Sequence, residues 1–252
     1  MKVRLDKLLV ERGLVASRER AQAMILAGRV LVDGHKIEKA GSGVEPEAAL
    51  RILGEDLKFV SRGGLKLEAA LEGWKIDLTG RTCVDVGAST GGFTDCLLQH
   101  GAATVIAVDT GYGQIAAKVR TDPRVRLLEK TNARYLTAQR LQEAAPGAEP
   151  TLIAIDVSFI SVTLILPAVL EAAFAAPASR IREVIVLVKP QFEAGREWVG
   201  KGGIVRDEQA QQRAVSKVTI AVSSLGGRNV EVTESPILGM EGNREFLLHA
   251  EF

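Results

Sequence analysis

The sequence predicts an α/β protein: a doubly wound, mainly parallel sheet preceded by a small α+β unit. Three observations predict it. From residue 61 onward, short apolar runs of strand character alternate with helical patterns, the order that builds a parallel sheet covered on both faces. One strand-to-helix junction, VDVGASTGGFTD from Val84 to Asp95, is a glycine-rich turn placed where open α/β sheets bind nucleotides. The first 40 residues read as two short helices and a hairpin, with nine Lys/Arg against five acids. That +4 leaves −3 for the other 212 residues of a chain whose total is +1. A basic head on a near-neutral body suits capture of a polyanion.

RLDKLLVERG sets Leu5, Leu8 and Leu9 at helical spacing and stops at Gly13. SRERAQAMILAG offers Ser17 as N-cap, Ala21, Met24 and Ile25 as an inner stripe, and Gly28 as its stop. RVLVDGHKI alternates, with Val30 and Val32 on one side and Asp33-Gly34 as a tight turn. GSGVEPEAALRI supplies the last strands of the head, and residues 54–60 read as a linker. The expected domains are therefore 1–60, head and linker, and 61–252. In the larger domain, strands are predicted near 82–86, 104–109, 125–128, 151–156, 183–189, 228–235 and 245–251. Helices are predicted near 65–73, 91–100, 113–120, 137–144, 161–174 and 206–225. The last two strands have only SPILGMEGN between them, so they are expected to pair antiparallel.

Composition sets bounds. The 252 residues are 46% hydrophobic and 25% charged, ordinary for a folded soluble chain. Cys83 and Cys96 form no CxxC and read as reduced, buried thiols. His35, His100 and His249 are scattered without ligand spacing, so no metal is expected. The opening residues lack the apolar run of a signal peptide, and every apolar segment falls short of the roughly 20 residues of a membrane span. A cytoplasmic protein is the expectation.

The glycine turn carries the first functional reading. Gly87, Gly91 and Gly92 let the backbone turn and approach a ligand closely. GxxxxGK[ST] is absent, and Ser89 stands where GxGxxG needs its second glycine, so neither phosphate cradle is present. Asp85 before the turn suits hydroxyl or ammonium groups. Asp109, ending the next strand in TVIAVDTG, suits a ribose diol. A phosphate-free adenosine cofactor fits this pattern, and S-adenosylmethionine is the common one.

Four further polar residues stand where polar residues need a reason: Lys66 after two glycines, Asp156 ending LIAID, Lys189 ending VIVLVK, and Glu245 opening EFLLHAEF. Each alone reads as a strand's exit into solvent; with the turn and Asp109 they read as a site. If they converge, a lysine amine with a lowered pKa can take a proton from a ribose hydroxyl. The carboxylates would orient the ammonium groups. The assignment is Lys189 as base, Lys66 as its cationic neighbour and hydroxyl anchor, Asp156 and Glu245 as aligners.

Two resemblances follow. RLDKLLVERGLVASRERAQAMILAGRVLVDG resembles the S4 RNA-binding domain, most specifically in AGRVLVDG. That resemblance implies Arg4, Lys7, Arg18, Arg20, Arg29 and Lys36 along the phosphates of folded RNA, with Arg62 added from SRGG. The Lys-Asp-Lys-Glu set resembles the tetrad of RNA ribose 2′-O-methyltransferases related to FtsJ. With SRGG…K, DVGASTGGFTD, DVSFIS and VKPQFE, essentially the whole chain resembles the TlyA family, often labelled hemolysin A. The resemblance implies a Rossmann-like S-adenosylmethionine methyltransferase behind a small α+β S4 domain. It implies 2′-O-methylation of a cytidine in ribosomal RNA, with no metal. By motif, Asp85, Gly87, Ala88, Ser89, Gly91, Gly92 and Phe93 would line the methionine side. Asp109 would hold the ribose, and Asn132 of TNAR would meet the adenine. Some members carry an additional C-terminal tail; if that tail serves small-subunit RNA, the large subunit is the expected target.

Two absences agree: no [DNS]PP[YF] follows the fourth strand, and no Pro-Cys nucleophile for C5 attack is present. Two rival readings remain at this stage. One is a non-catalytic S4-type assembly factor that binds ribosomal RNA. The other is a membrane-lytic protein, for which the sequence supplies neither a signal peptide nor a span.

Overall fold

The computed structural model describes residues 2–15, 17–26, 28–53, 58–175, 181–239 and 241–252. The chain divides into two compact units, Met1–Leu57 and Lys58–Phe252, and the division falls inside the expected linker. Residues 54–57 of that linker lie outside the described residues.

The first unit runs β1 (Val3–Arg4), α1 (Leu5–Glu11), α2 (Arg18–Leu26), β2 (Val30–Val32), β3 (His35–Lys36), β4 (Gly43–Val44) and β5 (Leu50–Ile52). β2 pairs antiparallel with β3 and β5, and β1 with β4. Asp33 and Gly34 have φ of 50° and 80°, the two left-handed residues of a type I′ hairpin turn. Ser17 caps α2 as expected, its Oγ accepting the Arg20 N–H at 3.2 Å. Leu5, Leu9, Ile25 and Val30 are fully buried and form the centre of this unit's core.

The second unit runs α3 (Gly63–Gly73), β6 (Thr82–Val86), α4 (Gly92–Gln99), β7 (Thr104–Val108), α5 (Ala117–Arg120), β8 (Val125–Leu128), α6 (Ala138–Ala144), β9 (Pro150–Ile155), α7 (Leu166–Ala173), β10 (Glu183–Val188), α8 (Pro190–Glu193), α9 (Glu208–Ser224), β11 (Arg228–Glu234) and β12 (Phe246–Glu251). Its sheet has the order β11-β12-β10-β9-β6-β7-β8. The five strands from β10 to β8 are parallel, and β12 is antiparallel to both β10 and β11. Successive side chains feed opposite layers. Val84, Ile106, Ile153 and Val184 pack with α7 and α9; Cys83, Val105, Leu152 and Ile185 pack with α3 and α4. Burial on both faces is why these strands read as continuous apolar runs.

Two expected helices are shorter than the sequence suggests. The helix expected over 113–120 is only Ala117–Arg120, because Gly113 has φ 72° and Ala116 is extended at ψ 142°. The helix expected over 161–174 is a 3-10 turn, Val162–Leu164, followed by α7; Pro167 stands in the first turn, where its missing N–H costs nothing. α8 and the 3-10 turns Ala133–Tyr135 and Arg196–Trp198 were not anticipated. Among the described residues, no helix is long and apolar enough to cross a membrane.

Candidate active site

The strand register gathers the polar residues at one end of the sheet. Val188 pairs with Phe246, so Lys189 and Glu245 leave adjacent antiparallel strands side by side. Val186 pairs with Ile155, so Asp156 leaves the sheet next to them, its N–H donating to the Val86 carbonyl at 2.9 Å. Asp109, Asp156, Lys189 and Glu245 each lie one residue outside a ladder.

The glycine turn lies at the same end. Gly87 has φ 90° and donates its N–H to the Val108 carbonyl at 2.8 Å. A Cβ on Gly87 would stand 2.4 Å from the Asp156 carbonyl oxygen, so backbone occupies the space of a side chain. Gly91, with φ 93°, opens α4, and a Cβ on Gly92 would meet Ser61 Oγ at 2.1 Å. Asp109 clamps the turn to the following loop: Oδ2 accepts Ser89 N–H at 2.7 Å and Oδ1 accepts Gly111 N–H at 2.6 Å. Between them runs a groove lined by Ala88, Ser89, Asp109, Gly111, Ile115 and Leu127.

Asp85 is fully buried beneath this turn. Thr94 Oγ1 donates to its Oδ2 at 2.5 Å, while Oδ1 has no partner. Burial pushes its carboxyl up to about 7; the Thr94 hydroxyl opposes that shift and the nearby Asp156 adds to it. A buried, unpartnered carboxylate oxygen at the head of a glycine cradle matches a cofactor that presents an ammonium group and no phosphate. Ala88 and Phe93 are buried, and Phe93 sits in the core layer with Phe59 and Leu97. Asn132 is exposed, its Oδ1 accepting the Arg134 N–H at 3.0 Å.

The four residues of the expected tetrad form two ion pairs. Lys66 Nζ donates to Glu245 Oε2 at 2.5 Å, and the two are 8% and 3% exposed. Lys189 Nζ lies 2.5 Å from Asp156 Oδ1 and donates to Ser158 Oγ at 2.9 Å. Asp156 Oδ2 lies 3.8 Å from where a Cβ on Gly63 would stand, at the start of the helix that carries Lys66. Two lysines are thus each held by its own carboxylate, Lys66 from α3 and Lys189 from the end of β10. Thr94, Ser158 and Glu193 were not foreseen; their only signal was inclusion in GGFTD, DVSF and VKPQFE. Phe159 was not foreseen either: it has φ 65°, is 92% exposed, and lies three residues beyond Asp156 with its ring 5.5 Å from that of Phe192.

The basic residues of the first unit fall into two groups. Arg4 (Nε 3.0 Å, Nη2 2.8 Å), Arg18 (Nε 3.0 Å) and Gln22 (2.8 Å) all donate to the buried Asp6 carboxylate. Arg4 holds that carboxyl well below the ordinary range, against the effect of burial, with Gln22 and Arg18 helping. Arg29 Nε donates to the Leu53 carbonyl at 2.9 Å, and Lys36 lies over Gly28, its Nζ 2.5 Å from where a Cβ would stand. Lys7 is exposed on α1 and Arg20 is partly exposed on α2. In the second unit, the exposed Arg62 donates to the Leu238 carbonyl at 3.2 Å. Folding also brings Glu68, Glu72 and His100 within 4.8 Å, a grouping invisible along the chain. Glu68 is already engaged there by Lys58, and His100 Nδ1 by the Cys96 carbonyl at 2.9 Å.

Comparison with known proteins identifies the family. The FtsJ-like methyltransferase model matches residues 59–252, and the S4 domain model matches residues 3–50. The chain is 45% identical over 248 residues to YqxC of Bacillus subtilis, covering 98% of this chain and 85% of that protein. It is 44% identical over 248 residues to the "16S/23S rRNA (cytidine-2'-O)-methyltransferase TlyA" of Mycobacterium tuberculosis, covering 98% and 89%. A solved structure, "Putative hemolysin from Streptococcus thermophilus", superposes with a TM-score of 0.73 at 42% identity, over 99% of this chain and 88% of that one. With its S4 domain ahead of an FtsJ-like methyltransferase domain, the chain belongs to the TlyA family.

Proposed function

We propose that this methyltransferase uses S-adenosylmethionine to methylate the ribose 2′-hydroxyl of a cytidine in ribosomal RNA, with the S4 domain docking on that RNA. The observation that carries the reading is the pairing of Lys189 with Asp156 and of Lys66 with Glu245 beside the glycine cradle. The substrate class is that named for the Mycobacterium relative. We place the nucleotide in large-subunit RNA, one of the two RNAs in that name, and the protein in the cytoplasm with its ribosomes.

The cradle fits the cofactor through Asp85, whose free Oδ1 would take the ammonium group, and through Asp109, which would take the ribose hydroxyls. S-adenosylmethionine, when bound, supplies an electrophilic methyl group on sulfur. Lys189 Nζ accepts the 2′-hydroxyl proton as the oxygen attacks, and Asp156 holds the ammonium that results. Lys66, paired with Glu245, anchors the same oxygen as negative charge develops on it. The exposed ring of Phe159, three residues beyond Asp156, offers a face on which an unstacked base can rest.

The test is methyl transfer from labelled cofactor to isolated large and small subunits, followed by alkaline hydrolysis. A 2′-O-methyl group blocks cleavage of the adjoining phosphodiester, so label in an alkali-resistant dinucleotide from the large subunit supports the reading. Label released as a mononucleotide, or none, would refute it; label confined to the small subunit would overturn the choice of subunit alone.

A further inference from the structure

We propose that Glu193 is a positioning residue that sets the geometry of the Asp156–Lys189 pair; the proposal rests on the 2′-O-transfer reading above. VKPQFE and DVSFIS contribute Lys189 and Asp156 to that reading, which leaves the rest of both motifs unexplained. Glu193 ends α8, the short helix that begins immediately after Lys189. Ser161 and Val162 lie in the segment that leaves the sheet through Asp156.

The Glu193 carboxylate joins these two segments. Its side chain is only 3% exposed. Oε2 accepts the Ser161 hydroxyl at 2.5 Å and Oε1 accepts the Val162 N–H at 2.6 Å. Lys217, reaching in from α9, donates to Glu193 Oε2 at 3.1 Å, to the Glu193 carbonyl at 3.2 Å and to Ser161 Oγ at 3.2 Å. A carboxylate so buried is stable only while those donors stay in place, so the contact is stiff.

α8 also packs on α9, but its own backbone is short. α8 has four residues, and Pro190 contributes no N–H. Two of its backbone bonds, Phe192 N–H to the Lys189 carbonyl at 3.0 Å and Ala194 N–H to the Pro190 carbonyl at 2.9 Å, are local. Beyond the β9–β10 ladder, the segment carrying Lys189 and the segment carrying Asp156 are joined by Lys189 with Asp156 and Ser158, by the Phe159–Phe192 ring contact, and by Glu193, the most deeply buried of these links. Removing the Glu193 link loosens α8 directly behind a lysine that must be placed to a fraction of an ångström, leaving it held on that side by the group it has to release and recapture and by the exposed Ser158.

The test uses the full-length protein and its RNA substrate. Glu193→Gln keeps the shape and the acceptor for Val162 but loses the charge that holds Lys217. It is expected to lower kcat by about tenfold or more, leaving KM for RNA and for cofactor within about twofold. Ser161→Ala is expected to lower kcat by a smaller factor, and the double variant to be no slower than Glu193→Gln alone, since both cut one link. His249→Gln, at the opposite end of the sheet against Glu183 and Trp74, supplies a control that loses thermal stability and keeps kcat. Wild-type kcat in Glu193→Gln, or independent multiplication of the two losses, would overturn the proposal. If Glu193→Gln does not fold, Ser161→Ala decides: a kcat loss at unchanged KM supports it and an unchanged kcat overturns it. A wild-type protein that makes no alkali-resistant linkage removes the 2′-O reading itself, a result distinct from a normal wild type matched by its Glu193 variant.

Discussion

Gly87 and Asp156 are in backbone contact: a Cβ on Gly87 would lie 2.4 Å from the Asp156 carbonyl oxygen, and Gly87 is held at φ 90°. The turn that would cradle the cofactor and the loop that carries one of the acids are thereby built against each other. Gly87→Ala must move one of them.

Gly87→Ala is expected to cost roughly 2–4 kcal/mol, from backbone strain and the clash together. Cofactor affinity measured by calorimetry should fall at least about tenfold. Gly113→Ala is the matched control, since Gly113 also has positive φ but faces open space. It should cost only the left-handed backbone term, about 1–2 kcal/mol, and leave affinity nearly unchanged.

Asp85 makes stability fall as pH rises. Its folded pKa, pushed up to about 7, lies above the unfolded value near 3.8. Between those values the native state keeps a proton that the unfolded state has released, so unfolding free energy declines from about pH 4 to about pH 7 and then levels. The penalty above pH 7 is on the order of 4 kcal/mol. Asp85→Asn should abolish that decline in chemical denaturation series, being more stable than wild type at pH 8, while binding cofactor more weakly. A wild-type profile that rises over this window and is shared by the variant would contradict this.

Much of this was legible in the sequence, and the reasons are physical. The strand at 82–86 and the antiparallel closing pair were readable because strands buried on both faces are apolar runs cut off by an acid, a glycine or a turn. Asp156, Lys189 and Glu245 could be singled out because each flanks an apolar run, and Lys66, within α3, because it follows two glycines. The pairing within the set was not, since it depends on β12 inserting between β10 and β11 and bringing Glu245 to Lys66. Arg4 and Arg18 were read only as phosphate contacts. Their shared hold on Asp6 comes from the packing of α1 on α2, which charge counting along a chain does not reveal. Glu193 was legible as part of a motif but not as a link, because its partners lie 31 and 32 residues away.

The Lys66–Glu245 pair is buried, so breaking it and replacing it have different consequences. Glu245→Ala leaves an ammonium unpaired in a dry site and should destabilise the protein by about 3–5 kcal/mol. The double variant Lys66→Met/Glu245→Leu should recover most of that loss in thermal melts and still fail to transfer methyl groups. Activity in the double variant would show that the pair is structural alone.

In the first unit, the Asp6 carboxyl is held below its ordinary range, so its contribution is present above about pH 4 and is lost as the solution is acidified further. Asp6→Ala should weaken hydrogen-exchange protection across Leu5–Glu11 and Arg18–Leu26. Lys7→Ala, on the exposed face, should leave protection intact and reduce the salt dependence of RNA binding by about one phosphate contact. An unchanged salt slope in Lys7→Ala would remove that residue from the RNA interface.

The most direct measurement of the central claim is single-turnover methyl transfer to the substrate RNA by wild type and by Lys189→Ala, with the product mapped as an alkali-resistant linkage. Wild type is expected to form that linkage at a cytidine, and Lys189→Ala to form it at least about a hundredfold more slowly with cofactor still bound. Near-normal transfer by Lys189→Ala, or wild-type label that alkali releases as a mononucleotide, would contradict it.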